Sequence, residues 1–281
     1  MSRPKAKRTS RTLDLAPQHG EMLKAAELVD VSGASSLTLA DRRAYNVLLH
    51  NAHGPDLGQP GARFEIALSD LRDSHDSNDR LGESIERLMR TIVIIRRPDG
   101  RVTRVALLGE NDLADRGRRR GTLTYSISPT LAELLRDSRT FAKLELQVLR
   151  AFTSKYALAL YEATARRWRM SHVTSEPFEL DAFRDLLGVP EGRLTSYGNL
   201  NQFAIKPAVV EVNALAPFSV HITPEKQGRR VAGVLLHWWE KDVEDRRAAY
   251  AELQRPHAGR RARIDGTVEA PSVDGGLALG G

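Results

Sequence analysis

Residues 64–73 read FEIALSDLRD, and residues 178–187 read FELDAFRDLL. Each starts as a short β-prone run and passes into an amphipathic helix, and each holds the same place in a longer series of elements. Ahead of the first lies LTLADRRAYNVLLHNA (37–52), with Thr38 at the N-cap position and Leu39, Ala44, Val47 and Leu48 on one helical face. Ser69 stands where it would cap the helix that follows the strand. Next, NDRLGESIERLMRT (78–91) turns Leu81, Ile85 and Leu88 inward as a third helix, and IVIIRRPDGRVTRVALLG (92–109) reads as a hairpin about a Pro-Asp-Gly turn. Ahead of the second copy, ELQVLRAFTSKYALALYEATARRWRM (145–170) brings Tyr156, Leu160, Thr164 and Trp168 round every four residues. Asp181 is the expected N-cap of the next helix, Gly188 its C′ residue and Pro190 its stop. NLNQFAIKPAVVEVN (199–213) supplies the third helix, and FSVHITPEKQGRRVAGVLLHWW (218–239) the closing hairpin.

Twice, then, the order is helix–strand–helix–helix–hairpin, which is the order of a winged helix: a helix-turn-helix whose third element is the recognition helix, followed by a β-hairpin wing. The expected fold class is α+β, two tandem winged-helix domains forming a pseudo-repeat. The expected boundaries are a basic N-terminal tail (1–34), a first winged helix (35–127), a linker helix opened by Ser128-Pro129 (128–144), a second, sequence-reading winged helix (145–241), and a C-terminal helix end with a disordered tail (242–281). A strand is expected over 123–127, within a wing extension. Both ends lack a periodic apolar face; residues 1–12 carry Arg3, Lys5, Lys7, Arg8 and Arg11 and no acid. Such segments bury too little to offset the entropy of ordering.

The 281 residues suit two domains, 41% hydrophobic content suits packed cores, and a net charge of +6 leans towards a polyanionic partner. There is no cysteine, which removes disulfides, thiolate metal sites and cysteine nucleophiles and fits a reducing cytoplasm. No run of about 18 apolar residues exists, so no membrane span is expected.

Four motifs in the second copy, SKYALALYE, FELDAFRDLLGVP, YGNLNQFAIKPAVVEVN and FSVHITPEKQGRRVAGVLLHWWEK, resemble in order and spacing the second winged-helix domain of the RepB-like, iteron-binding plasmid replication initiators. The first copy resembles that family's first domain in organisation more than in residues. The resemblance covers roughly residues 35 to 241. It implies binding to short direct repeats (iterons) of double-stranded DNA in a plasmid origin, opening of an adjacent AT-rich segment, recruitment of the host initiator and replicative helicase, a monomer–dimer equilibrium and repression of the protein's own gene.

On a helical wheel of 199–213, Ile205, Ala208, Val209 and Val212 gather on the core side, while Asn199, Phe203, Lys206 and Val210 fall opposite with Gln202 at the flank. Asn and Gln pair bidentately with adenine, an apolar side chain meets a thymine methyl, and Lys reaches guanine or phosphate. The candidate base-reading set is therefore Arg193, Ser196, Asn199, Asn201, Gln202, Phe203 and Lys206. The competing reading is that the amides only cap and solvate the first turn. Pro207 cannot donate to the carbonyl of Phe203, so a kink or restart is expected there. The candidate backbone set is Arg80, Arg87, Arg90, Arg101 and Arg104 in the first copy and Lys226, Arg229 and Arg230 in the second wing. Ion pairing of the helix arginines with Asp79, Glu83 and Glu86, and edge protection by the wing charges, are the bland alternatives. RGRRRG (116–121) reads as a backbone clamp or a loop.

Catalysis is not expected. No two of the eight histidines are separated by a single residue, as a rolling-circle nickase would need; His50 and His53 lie three apart without a completing ligand; and no phosphate-cradling G-x-x-x-x-G-K-[ST] occurs. Tyr156 and Tyr161 are core-facing by periodicity. No cofactor or metal is expected. The remaining alternatives are a winged-helix transcriptional regulator and a first copy that serves as a protein-docking module.

Overall fold

The computed structural model describes residues 10–71, 78–97, 99–114, 121–170, 172–256 and 258–264. The first unit opens with β1 (Glu21–Ala25), α1 (Ala26–Val29) and α2 (Leu39–Asn51), followed by β2 (Phe64–Ala67), α3 (Leu68–Leu71) and α4 (Asn78–Arg90). The hairpin β3 (Ile92–Arg96) and β4 (Val102–Ala106) comes next, then β5 (Leu108–Ala114), β6 (Thr122–Ile127), α5 (Pro129–Asp137) and β7 (Phe141–Glu145). The second unit runs through α6 (Leu146–Ala151), α7 (Lys155–Trp168), β8 (Ser175–Glu179), α8 (Leu180–Leu187), α9 (Tyr197–Leu200), α10 (Lys206–Leu215), β9 (Phe218–Gln227) and β10 (Arg230–Glu240). Two further helices, α11 (Val243–Gln254) and α12 (Arg260–Ile264), follow it.

Local chemistry explains most element ends. Thr38 accepts from the N–H of Asp41 while the Asp41 carboxylate accepts from the N–H of Thr38, a reciprocal box that starts α2. Ser154 caps α7, and Gly188, at φ 72°, closes α8 in the left-handed conformation its sequence position suggested. Two expected caps are corrected. Ser69 lies inside α3, which begins one residue earlier, and Asp181 sits in the first turn of α8, whose cap position is Glu179. Residues 145–170 hold two helices, because Phe152 is extended between α6 and the Ser154 cap.

The two copies share their order of elements but not their sheets. In the second, β8 joins the wing hairpin in the order β8-β10-β9. In the first, β2 turns away from the β3–β4 hairpin and pairs with β6, which carries β5 on its other side. The reason is burial: Leu123, Tyr125 and Ile127 alternate inward along β6 and pack against the core under α2, where the Tyr125 hydroxyl donates to the carbonyl of Leu48 at 2.6 Å.

Three expected boundaries shift. Residues 21–29 are not tail, because β1 pairs along its length with β7, Met22 opposite Leu144. Residues 128–144 are not a linker, since Leu131 and Leu135 of α5 are buried and β7 is β1's partner. Residues 242–264 also dock. Arg260, 1% exposed, donates to the carbonyls of Ala151, Glu252 and Arg255 and pairs with the Glu252 carboxylate. Arg263 pairs with the same Glu252 at 2.8 Å, and Ala249 and Leu253 pack against the body, too few apolar contacts to show as a hydrophobic period. Arg3, Lys5, Lys7, Arg8, residues 116–120 of the RGRRRG run and residues 265–281 lie outside the described residues.

Core residues of both units form one contiguous cluster centred on α7, whose residues 157–165 are all buried. A buried polar junction crosses it: Lys24 of β1 donates to Glu162 of α7 at 2.8 Å and to Asn46 of α2 at 2.9 Å, and Asn46 donates to Glu162 at 2.7 Å. Burial pulls the Lys24 pKa below the ordinary lysine range, although Glu162 opposes the shift. At the rim, Arg167 bridges Asp30 and Glu176 at 2.9 and 2.8 Å.

Candidate nucleic-acid interface

The recognition element is set up by the turn ahead of it. After Gly188 the chain bends through Gly192, at φ 72°, and Leu194, a non-glycine residue at φ 50°. Arg184 of α8 holds this loop by donating to the carbonyls of Arg193 and Leu194. The Ser196 hydroxyl then accepts from the N–H of Asn199 at 3.2 Å and opens the helix. Arg193 and Ser196 are both exposed, so the hydroxyl proton of Ser196 remains available to donate outward.

Residues 197–215 form one run of helical backbone. The restart expected at Pro207 is present. Residues 201–205 widen into a π turn, in which the N–H of Lys206 reaches back to the carbonyl of Asn201, and α10 restarts with Pro207 in its first turn. A proline there costs nothing further, because first-turn N–H groups have no partner inside the new helical segment. The widened turn keeps the expected faces. Ala204, Ile205, Ala208 and Val212 are buried, whereas Asn199, Gln202, Phe203, Lys206 and Val210 are exposed. Phe203 is 57% exposed, and Asn201 is half-buried at the edge. Val209, expected in the core, is partly buried against it. The outward face therefore carries two amides, a phenylalanine and a lysine, without an acid.

The helix is tied to its wing by Asn213, the last residue of the quoted stretch. Its side chain accepts the N–H of Val220 at 2.7 Å and donates to the carbonyl of the same residue at 3.0 Å. Lys241 caps the helix end by donating to the carbonyls of Asn213 and Ala216. At the other side, the buried Glu211 carboxylate accepts the N–H of Thr153 ahead of α7, and burial raises its pKa above the usual carboxylate range despite that bond. The wing is a two-residue hairpin led by Gly228, at φ 63°, the conformation glycine supplies at the first central position of a type II′ turn. Lys226, Arg229 and Arg230 all lie exposed at its tip.

The first unit divides its candidates. Arg80, Arg90, Arg101 and Arg104 are exposed; Arg90 pairs with Glu86 at 2.9 Å and Arg101 with Asp99 at 3.6 Å. Arg87 points inward instead. Its guanidinium makes two 3.0 Å bonds to Asp41, which is fully buried and also takes Ser84 at 2.5 Å. Arg87 is therefore a strut between α4 and the cap of α2, a correction to its reading as an outward-facing backbone contact. The ion-pair alternative holds for both helix arginines, since Arg87 also pairs with Glu83 at 3.6 Å and Arg90 with Glu86, but it did not include the buried partner Asp41.

A family model described as "Initiator Replication protein, WH1" matches residues 21–164, and one described as "Initiator Rep protein, WH2" matches residues 179–238. The chain belongs to this family of replication initiators. Its two units are the winged helices WH1 and WH2, as the repeated order of elements implied. A solved structure described as "Crystal structure of Pi initiator protein in complex with iteron DNA" is similar in fold, with a TM-score of 0.58 at 15% identity over 81% of this chain and 100% of that one. Another, of domains 2 and 3 of RctB, gives a TM-score of 0.42 at 13% identity over 81% and 95%. No curated protein sequence matches the chain.

Sequence reasoning missed several residues that build the initiator's WH2 site: Arg184, Asn213, Glu211 and Lys241. Only Asn213 left a trace, as a polar residue closing an apolar helix. The partners of all four are backbone groups, which leave no side-chain pattern in the sequence. Among the described residues, no cluster of three or more His, Cys, Asp or Glu side chains is arranged to hold a metal ion, and no helix is long and apolar enough to cross a membrane.

Proposed function

We propose that this initiator binds directly repeated double-stranded segments, the iterons of a plasmid origin, with the 199–206 face of WH2 reading base edges. The observation that carries the reading is the outward set Asn199, Gln202, Phe203 and Lys206 on a helix whose opposite side is core. Asn199 and Gln202 address adenine, Phe203 a thymine methyl, and Lys206 guanine or phosphate; Arg193, Ser196 and Asn201 flank them. Lys226, Arg229 and Arg230 on the WH2 wing, with Arg80, Arg90, Arg101 and Arg104 in WH1, hold phosphates and set register without reading sequence. Two winged helices side by side engage successive major grooves about 34 Å apart, WH2 reading and WH1 anchoring, so a bound chain covers on the order of 20 base pairs.

In this reading the protein acts in the cytoplasm without a catalytic step of its own. Occupied iterons promote opening of adjacent AT-rich DNA and recruit the host initiator and replicative helicase, while a monomer–dimer equilibrium and binding near its own promoter limit the supply. The test is quantitative footprinting with variant proteins. Asn199→Ala and Lys206→Ala should weaken specific over non-specific binding by about 1–3 kcal/mol each. Arg229→Ala and Arg230→Ala should lower affinity for all sequences and flatten its salt dependence. Identical behaviour of the two sets, or protection confined to half a helical turn, would refute the assignment. Binding to inverted repeats alone, with repression and no replication, would make the protein a transcriptional regulator instead.

A further inference from the structure

Beside the reading face lies a groove of about 600 Å³, between the Thr153–Tyr156 segment at the start of α7, the recognition helix and α12. Its lining is apolar at Tyr156, Phe203, Pro207, Val210 and Ile264 and cationic at Lys206 and Arg261. The acid within it, Glu211, is turned to the backbone of Thr153, and burial favours its neutral form. The groove thus shares Gln202, Phe203 and Lys206 with the surface assigned to DNA. Its third wall is α12, which buried Arg260 ties to the end of α6.

We propose that residues 265–281 of the same chain lie in this groove and compete with DNA for the reading face. Three observations select that occupant. The chain passes out of the described structure at Ile264, which is itself part of the groove wall. Residues 265–281 carry Asp265, Glu269 and Asp274 and no lysine or arginine, opposite in sign to Lys206 and Arg261. They also carry Val268, Val273, Leu277 and Leu279, which suit an apolar floor. Reach is ample, since the segment extends to roughly 55 Å against roughly 28 Å for the recognition helix from 197 to 215. A tethered segment acts at an effective concentration of about 1 mM. An intrinsic dissociation constant of about 0.1–0.2 mM would then leave the reading face open about an eleventh to a sixth of the time, lowering apparent DNA affinity about 6–11-fold.

The proposal rests on the reading face being the DNA surface, and the experiment separates the two. The chain has no cysteine, so Leu277→Cys gives one site for a nitroxide on the full-length protein. The label should broaden the amide resonances of Phe203, Lys206 and Val210, and iteron DNA should relieve the broadening. The variant Asp265→Asn/Glu269→Gln/Asp274→Asn should bind DNA about 6–11-fold more tightly than the parent chain. Absence of broadening, with Asn199→Ala still impairing specific binding, overturns the tail's role and leaves the DNA surface in place. Broadening that DNA does not relieve overturns competition and moves the DNA surface elsewhere. Broadening that disappears on dilution overturns the intramolecular arrangement in favour of a second copy's tail.

Discussion

Arg87→Met is the substitution that most cleanly separates a fold strut from a DNA ligand. Asp41 is fully buried; its two oxygens take both Arg87 bonds at 3.0 Å, Ser84 at 2.5 Å and the Thr38 N–H at 2.8 Å. Removing one partner of a buried pair costs about 3–5 kcal/mol. Here the Arg87 side chain is 38% exposed and Asp41 keeps two other donors, so a loss of about 2 kcal/mol is expected, or about 4–8 °C in melting temperature for a chain of this size. Methionine retains the packing of the arginine stem, which keeps the effect electrostatic. The acid limb gives a second reading. Burial alone would raise the Asp41 pKa, but the bonds from Arg87, Ser84 and Thr38 outweigh it and hold the carboxyl below its ordinary value. A carboxyl depressed in the folded state contributes stability that is present above its unfolded pKa, near 4, and is lost as pH falls through the folded value. Without Arg87 the folded pKa moves back up towards the unfolded one, so the acid-side loss from this group should shrink. The assays are thermal melts from pH 3 to 7 and DNA affinity against salt. A melting temperature within about 1 °C of the parent, together with a salt slope reduced by about one, would refute the strut and make Arg87 a phosphate ligand.

Three further outcomes follow from the site and the core. Asn213→Ala strands the N–H and carbonyl of Val220 and should cost about 1–3 kcal/mol in stability, with a larger drop in specific than in non-specific DNA affinity, read by melts and competition titration. Glu211 has its pKa raised by burial, so its contribution to stability is full below the unfolded pKa and declines as pH rises through the folded one. Glu211→Gln should therefore match the parent near pH 4 and exceed it near pH 8; a parallel pH profile for the two proteins would contradict this. Lys24→Met leaves Glu162 buried without its cation and should cost about 3–5 kcal/mol, whereas Lys24→Met/Glu162→Leu should recover most of that in a chemical denaturation series.

Much of the candidate site was legible before any coordinates. Asn199, Gln202, Phe203 and Lys206 fall outward in the structure because a helix keeps its faces even through a π turn, so counting residues sufficed. Arg87 was misread because the same arithmetic says nothing about a buried aspartate on a helix 46 residues earlier. The nearby Glu83 and Glu86 offered local partners that hid the distant one.

Within the two repeated units the amino-acid order by itself determined which segments become helix, strand or turn, and which side of the main helices is apolar. Thr38, Gly188, Gly228 and the period of Leu81, Ile85 and Leu88 act within a few residues, where propensity and capping dominate. Only the tertiary structure decided that β2 pairs with β6 and β1 with β7, that α5 and α12 join the body, and that Lys24, Asn46 and Glu162 meet where β1 and α2 pack on α7. Those choices depend on partners far apart in the chain. They are selected by which arrangement buries the most apolar surface while leaving the fewest polar groups unpaired, a property of the whole chain that no short stretch carries.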